Sequence, residues 1–248
     1  MIPYHGLPIT PATAAVRAIS GGHAFASFRH PEQLTFAIEA CQSFAVDNGA
    51  FSAWMSGEPV TDWSPYYGWV EGLARCPSFD FAVIPDVIDG SEEDNDALVE
   101  QWPFPLWVGA PVWHMHESTG RLARLVRSFP RVCLGSSGRF ARVGTKPWWN
   151  RIAEAMDAAC DGEGRPLARL HGLRMLDPRI FTRLPLASAD STNIARNIGI
   201  DSAWRGTYNP PNKDARAMVM RERIEAHQSP ARWARVPIQE ELLEGLAV

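Results

Sequence analysis

Three aspartates, three histidines and two glycine turns fall at the ends of short apolar runs in this chain. They read Asp47-Asn48-Gly49-Ala50-Phe51, Pro85-Asp86, His114-Met115-His116-Glu117, Gly135-Ser136-Ser137-Gly138-Arg139, His171-Gly172 and Asp190-Ser191-Thr192. An acid at one strand end is usually a helix cap. Three acids at three separate ends point to chemistry instead. A set of carboxylates suits a reaction that develops positive charge. One carboxylate meets the developing cation, and a second gives or takes a proton. To divide those tasks the acids need different pKa values, set by burial and mutual repulsion.

Such residues work only if elements bring them together. Short apolar runs alternate with helical patterns along the chain, which is the signal of βα units. Strands are expected at 23–28, 43–47, 80–86, 105–113, 131–136, 167–173 and 185–190. Their near-continuous apolar character suits strands buried on both faces. Helices are expected near 31–42, 63–75, 91–101, 118–128, 147–161, 176–183 and 212–228, with Ser91 and Ser118 as caps. Seven strands are one short of a barrel, and the eighth is expected in 1–10 or as an irregular piece of 198–210. The expected fold is therefore α/β, a (β/α)8 TIM-type barrel, irregular or incomplete in its eighth unit. One domain covers 1–248, with a core over 20–200 and a C-terminal helical extension over 201–248. In such a barrel the active site is built at the carboxyl ends of the strands, where the polar turns lie.

A length of 248 residues, 46% hydrophobic and 21% charged, suits one folded domain. No apolar run reaches the ~20 residues needed to span a bilayer, and the N-terminus lacks a signal-peptide pattern. Cys41, Cys76, Cys133 and Cys160 form no CxxC pair and are read as reduced thiols of a cytoplasmic protein. Net charge is −4, yet the charge is unevenly spread. Residues 76–104 carry eight acids and no Lys or Arg, whereas 118–151 carry eight cations and no acid. The second segment supplies Arg121, Arg124, Arg127, Arg139 and Arg142 as candidate contacts to a phosphate backbone.

The motifs, in this order, resemble those of the tRNA-guanine transglycosylase-type barrels, in the short phage and bacterial DNA-modification form related to 7-deazaguanine DNA transglycosylases. Asp47-Asn48-Gly49-Ala50-Phe51 resembles the family's DSGGF turn. Asp86 lies where the family has a second Asp that binds the heterocycle. Leu134-Gly135-Ser136-Ser137 resembles its glycine turn beside the base, and Ser188-Ala189-Asp190-Ser191-Thr192 the segment holding its nucleophilic Asp. The similarity covers roughly residues 23–197.

The resemblance implies cleavage of a nucleobase N-glycosidic bond. Asp190 would be the carboxylate under C1′ and Asp47 the acid/base, while Asp86 would read the base edge. Asn48, Phe51, Trp113, His114, His116, Gly135, Ser136 and His171 would line the base pocket. The Cys/His zinc module of the tRNA-acting members has no counterpart here, so DNA is the expected partner. The family's Gln-Gly turn after the fourth strand is replaced by Pro111-Val112-Trp113-His114-Met115-His116-Glu117, so excision of a modified base is favoured. Exchange for a 7-deazaguanine-type base is the alternative. A base in duplex DNA would have to leave the stack, and Phe51, Trp54, Trp113 and Phe140 are candidates to receive it. His5 precedes a Gly-Leu-Pro segment expected over the mouth. A rival reading takes His114-x-His116, with His171 and Asp190, as a metal-dependent amidohydrolase-like site. That motif belongs on the first strand of such barrels and here falls on the fourth run, so no metal and no other cofactor is expected.

Overall fold

The computed structural model describes residues 1–200, 204 and 208–235. Nine parallel strands form one sheet: β1 (Ile2–Gly6), β2 (His23–Ser27), β3 (Ser43–Asp47), β4 (Phe79–Val83), β5 (Gly109–Ala110), β6 (Val112–His114), β7 (Arg131–Gly135), β8 (Arg169–Gly172) and β9 (Ser188–Ser191). The sheet order is β5-β4-β3-β2-β1-β9-β8-β7-β6. Its two ends are pieces of one continuous run, interrupted only at Pro111. That proline has no N–H to donate, but its carbonyl accepts from Cys133 N at 2.8 Å. The sheet therefore closes on itself through the chain, and 109–114 counted as one strand gives the eight of a (β/α)8 TIM-type barrel.

The missing eighth strand is β1. It pairs with β2 on one side and β9 on the other, so the core begins near residue 2 and not 20. The alternative site at 198–210 lies partly outside the described residues. Helices α1 (Ala12–Ile19), α2 (Leu34–Ala40), α3 (Ala50–Met55), α4 (Ser64–Leu73), α5 (Glu92–Glu100), α6 (Thr119–Ser128), α7 (Lys146–Ala159), α8 (Pro178–Phe181), α9 (Asn193–Asn197) and α10 (Lys213–Glu225) connect or cover the strands. Ser91 starts α5 with a capping box through Asp94, and Ser118 caps α6 by accepting from Arg121 N. The C-terminal extension contributes α10, which packs on α1 and ties to it through Thr13 Oγ1–Asp214 at 2.8 Å. The rest of 201–248 beyond residues 204 and 208–235 lies outside the described residues.

Alternation along each strand decides which side chains enter the barrel. Tyr4, Phe25, Ala45, Phe81, Val83, Ala110, Val112 and Cys133 fill the interior. Phe44, Val46, Trp113, Leu134, Leu170 and Ala189 point outward beneath the helices. By the same alternation Asp47, His114, His171 and Asp190 face inward. All four cysteines are free. No helix among the described residues is long and apolar enough to cross a membrane.

Candidate active site

Alternation carries Asp47 and Asp190, and the loop after β4 carries Asp86, to one pocket at the carboxyl ends of the strands. Asp47, Asp86 and Asp190 line a cavity of about 290 Å³, with His114, Asn48, Phe51, Gly135 and Ser136 in the same lining. Gly6, Leu7 and Pro8, from the segment after β1, also line it. Phe25, Val83, Ile88 and Leu173 add apolar wall.

Asp47 ends β3 and is fixed by the turn that follows. Gly49 adopts φ 80°, the left-handed region open to glycine. In that turn Gly49 N donates to Asp47 Oδ2 at 3.0 Å, and Ala50 N donates to Asn48 Oδ1 at 2.7 Å. The Asn48 amide donates to Ile84 O at 2.9 Å and to Asp86 Oδ1 at 2.7 Å. Asn48 is thus spent on holding Asp86. Across the pocket, His114 Nε2 lies 2.8 Å from Asp86 Oδ2. A Cβ on Gly135 would come within 3.2 Å of His114 Nδ1, so glycine leaves the ring its place. Asp190 accepts from Arg174 N through Oδ1 at 3.0 Å, while its Oδ2 makes no hydrogen bond among the described residues.

Burial first, then the charges of Asp86 and Asp190, push the Asp47 carboxyl up to about 7. Hydrogen bonds from Gly49 and Ser27 oppose that rise and are outweighed. Near neutral pH Asp47 therefore holds a proton that can be given away, as a general acid requires.

Other expected site residues lie elsewhere. Trp113 is fully buried on the outer face of β6, its Nε1 donating to Ser118 O at 2.9 Å. It is opposite His114 in the strand alternation and cannot reach a base. His116 is exposed on the rim, with Nδ1 2.8 Å from Ser137 Oγ and Nε2 3.0 Å from Gly90 O. His114 and His116 stack with ring centroids 5.6 Å apart, and their bonded nitrogens meet different partners, Asp86 for the first and Ser137 and Gly90 for the second. Among the described residues no group of three or more His, Cys, Asp or Glu is arranged to hold a metal ion. His171 lies in the barrel interior beneath Asp190, with Nδ1 2.8 Å from Ser188 Oγ and Nε2 3.4 Å from Asp190 Oδ1. It supports the site from below and does not line it. Phe140 is core, and Trp54 is exposed beside Phe51, centroids 5.9 Å apart. His5 points out of the barrel to Glu225 at 3.1 Å, whereas its neighbour Gly6 lines the pocket.

The arginine-rich segment is also redistributed. Arg121 is fully buried, bonded to Glu117, Asp96 and Val112 O at 2.7 Å each. It is a structural cation. Arg124 pairs with Asp96, and Arg127 donates to Ala123 O of its own helix. Arg139 and Arg142, which follow β7, are exposed, and the Arg139 guanidinium lies 4.7 Å from the Phe140 ring centre.

Two groups of site residues escape the sequence reading. The first is a buried network behind the pocket. Glu117 accepts from His114 N, Arg121 and Asn95, and Asn95 in turn bonds Val87. It holds the loops carrying His114 and Asp86 in fixed relation, and the Glu117/Arg121 spacing of four is its signal. The second group is Arg174 and Arg196, both in the pocket lining. They lie a few residues beyond the ends of β8 and β9, where barrel sites are built.

No protein-family model, curated protein or solved structure matches this chain.

Proposed function

We propose that this barrel breaks the N-glycosidic bond between a nucleobase and its sugar in DNA, releasing a modified base. The observation that carries the reading is the division among three carboxylates in one small, largely apolar pocket. Asp47 is pushed up to about 7, and Asp190 keeps an unbonded oxygen turned to no partner of its own. Asp190 meets C1′ as the C1′–N bond breaks, by attack or by stabilising the oxocarbenium-like centre. Asp47 gives its proton to the departing nitrogen. Water then adds to C1′ and returns a proton to Asp47, so acid and nucleophile are both regenerated. Asp86, held by Asn48 and His114, accepts from exocyclic N–H groups of the base. Phe51 supplies a stacking face, and the glycine at 135 lets the ring plane approach the strand end. If an incoming base replaces water, the same residues carry out exchange.

The test is incubation of the protein with duplex and single-stranded DNA bearing several modified bases. Released bases are read by mass spectrometry and abasic sites by alkaline cleavage. The expected result is a free base and an abasic site, both lost in Asp190→Asn. Incorporation of a supplied base without abasic sites would assign exchange. Absence of either product from every DNA would overturn the reading.

A further inference from the structure

We propose that Arg174 and Arg196 form a phosphate clamp at the pocket mouth, so that the sugar enters with a phosphate ester attached. The proposal rests on the glycosidic reading of the same pocket for the sugar, but the clamp is argued from its own residues.

Arg174 follows β8 and has φ 59°, a left-handed backbone that side-chain-bearing residues seldom adopt. This turn does two things at once. It points the Arg174 N–H at Asp190 Oδ1, 3.0 Å away, and it lays the guanidinium over Phe51, 4.3 Å from the ring centre. Nη2 donates to Ser136 O at 3.1 Å. A guanidinium has five N–H donors, and those other than the Nη2 group have no partner among the described residues. Arg196 stands on α9 in the same lining, and its side chain makes no hydrogen bond or ion pair among the described residues.

Several arginines elsewhere in the chain meet an acid. Arg29 faces Glu58, Arg151 faces Glu154 and Arg121 faces Glu117. Arg174 and Arg196 instead face each other's field. Burial first, and the Arg196 charge, pull the Arg174 guanidinium below its ordinary range, although Asp190 and Asp47 act the other way. Two like charges held at one mouth, each with donors to spare, suit an anion between them. The planar fork of arginine matches phosphate oxygens in bidentate fashion. The acidic floor would repel a free anion, so the phosphate must ride on the rim while C1′ sits over Asp190. A nucleotide has this geometry: a heterocycle at one end of the sugar and a phosphate ester at the other.

The experiment is calorimetric titration of the intact protein with 2-deoxyribose 5-phosphate and with 2-deoxyribose. The clamp requires the phosphate to tighten binding by about tenfold or more, the effect of one or two charge-assisted hydrogen bonds. Arg174→Gln and Arg196→Gln should each remove most of that gain, and the double variant all of it. Arg127→Gln, on the outer helix, should keep it. Melting temperatures equal to wild type exclude unfolding as the cause. A phosphate that changes affinity by less than about twofold, or a gain that survives the double variant, overturns the clamp. Competition then separates the sources of the ester. Displacement by a short oligonucleotide at lower concentration than a mononucleotide assigns an internal phosphodiester, and the reverse assigns a monoester. Clamp-dependent binding with no base release from any DNA would sink the glycosidic reading and keep the clamp. Base release whose KM ignores both arginines would do the opposite.

Discussion

At the base of the barrel Asp80 is met by an arginine and a phenol, whereas at the mouth Asp47, Asp86 and Asp190 are met by backbone N–H groups, a hydroxyl, an amide and two imidazoles. Arg131 Nη2 lies 3.0 Å from Asp80 Oδ2, its guanidinium lies 4.1 Å from the Phe81 ring centre, and the Tyr4 hydroxyl donates to the same carboxylate. Burial and the Asp80 charge push the Tyr4 phenol upward, so it remains a donor. At the mouth none of the three acids forms an ion pair with Arg or Lys among the described residues. Buried charge that is paired serves the fold. A buried carboxyl with no cation beside it costs stability, and at Asp47 burial and the neighbouring acids push the carboxyl up to about 7, which keeps a proton within reach of neutrality.

This contrast is open to attack by substitution, beginning where the effect should be largest. Asp190→Asn should lower base release on the order of 10²–10³-fold, since it removes charge stabilisation from the transition state. Its unfolding free energy should match wild type, because the carboxamide can still accept from Arg174 N. Single-turnover kinetics and urea titration together check both halves. A large stability loss would place Asp190 with the paired charges instead.

Arg131→Ala is the mirror experiment. It strands Asp80 at the base and should cost about 3 kcal/mol of stability. Turnover per folded molecule should be unchanged. Urea midpoints and active-site-normalised rates decide the matter.

Asp47→Asn tests the shifted acid. In the folded chain burial and the neighbouring acids push this carboxyl up to about 7, from 3.8 when unperturbed. The folded chain thus binds more protons than the unfolded chain between those pH values, and stability falls as pH rises through that window. The penalty is absent below about pH 4 and complete above about pH 7. The asparagine variant should therefore be more stable than wild type by on the order of 2 kcal/mol at pH 8, once the carboxyl's contact with pocket solvent is allowed for, and equal to it at pH 4. In wild type, base release should decline as pH rises through about 7, where the acid is spent. Thermal unfolding across pH 4–8, beside a pH–rate profile, tests the sign.

The smallest effect should come from Arg124→Ala. This exposed arginine pairs with Asp96 on the barrel's outer wall, and such pairs contribute about 0–1 kcal/mol. DNA affinity should not change, which a fluorescence-anisotropy titration can read.

Much of the architecture is legible in the residues because the barrel strands are apolar runs closed by polar turns. Positions Asp47, Asp86, His114, Gly135 and Asp190 follow from that rule alone. Strand β1 is harder to read: IPYHG is short and holds a proline and a histidine, so 1–10 stands in the sequence as one of two places for the eighth strand, and pairing to β2 and β9 decides between them. Helices α1, α3 and α9 are short, and Pro11 and Gly49 at the starts of the first two resemble turn residues. Trp113 was legible in principle, since alternation sets it opposite His114. Arg121 was not legible from a run of cations, because what buries it is Glu117 one turn earlier and Asp96 from another helix. Arg174 and Arg196 stand outside any motif, and only the folded chain brings them to one mouth.

Pro111 leaves the barrel with a seam. On one side Gly109–Ala110 is bonded to β4, on the other Val112–His114 is bonded to β7, and the proline between them has no amide to share. Two side-chain contacts stitch this seam, Asp80 to Arg131 at the base and Asp86 to His114 at the mouth. The lower stitch is a salt bridge of the fold, while the upper one is part of the pocket. The wall beside the pocket can therefore be loosened without dismantling the wall below it. Amide hydrogen exchange should register that asymmetry in His114→Ala, with faster exchange at Ile84 and Met115 near the mouth and unaltered exchange at Ala82.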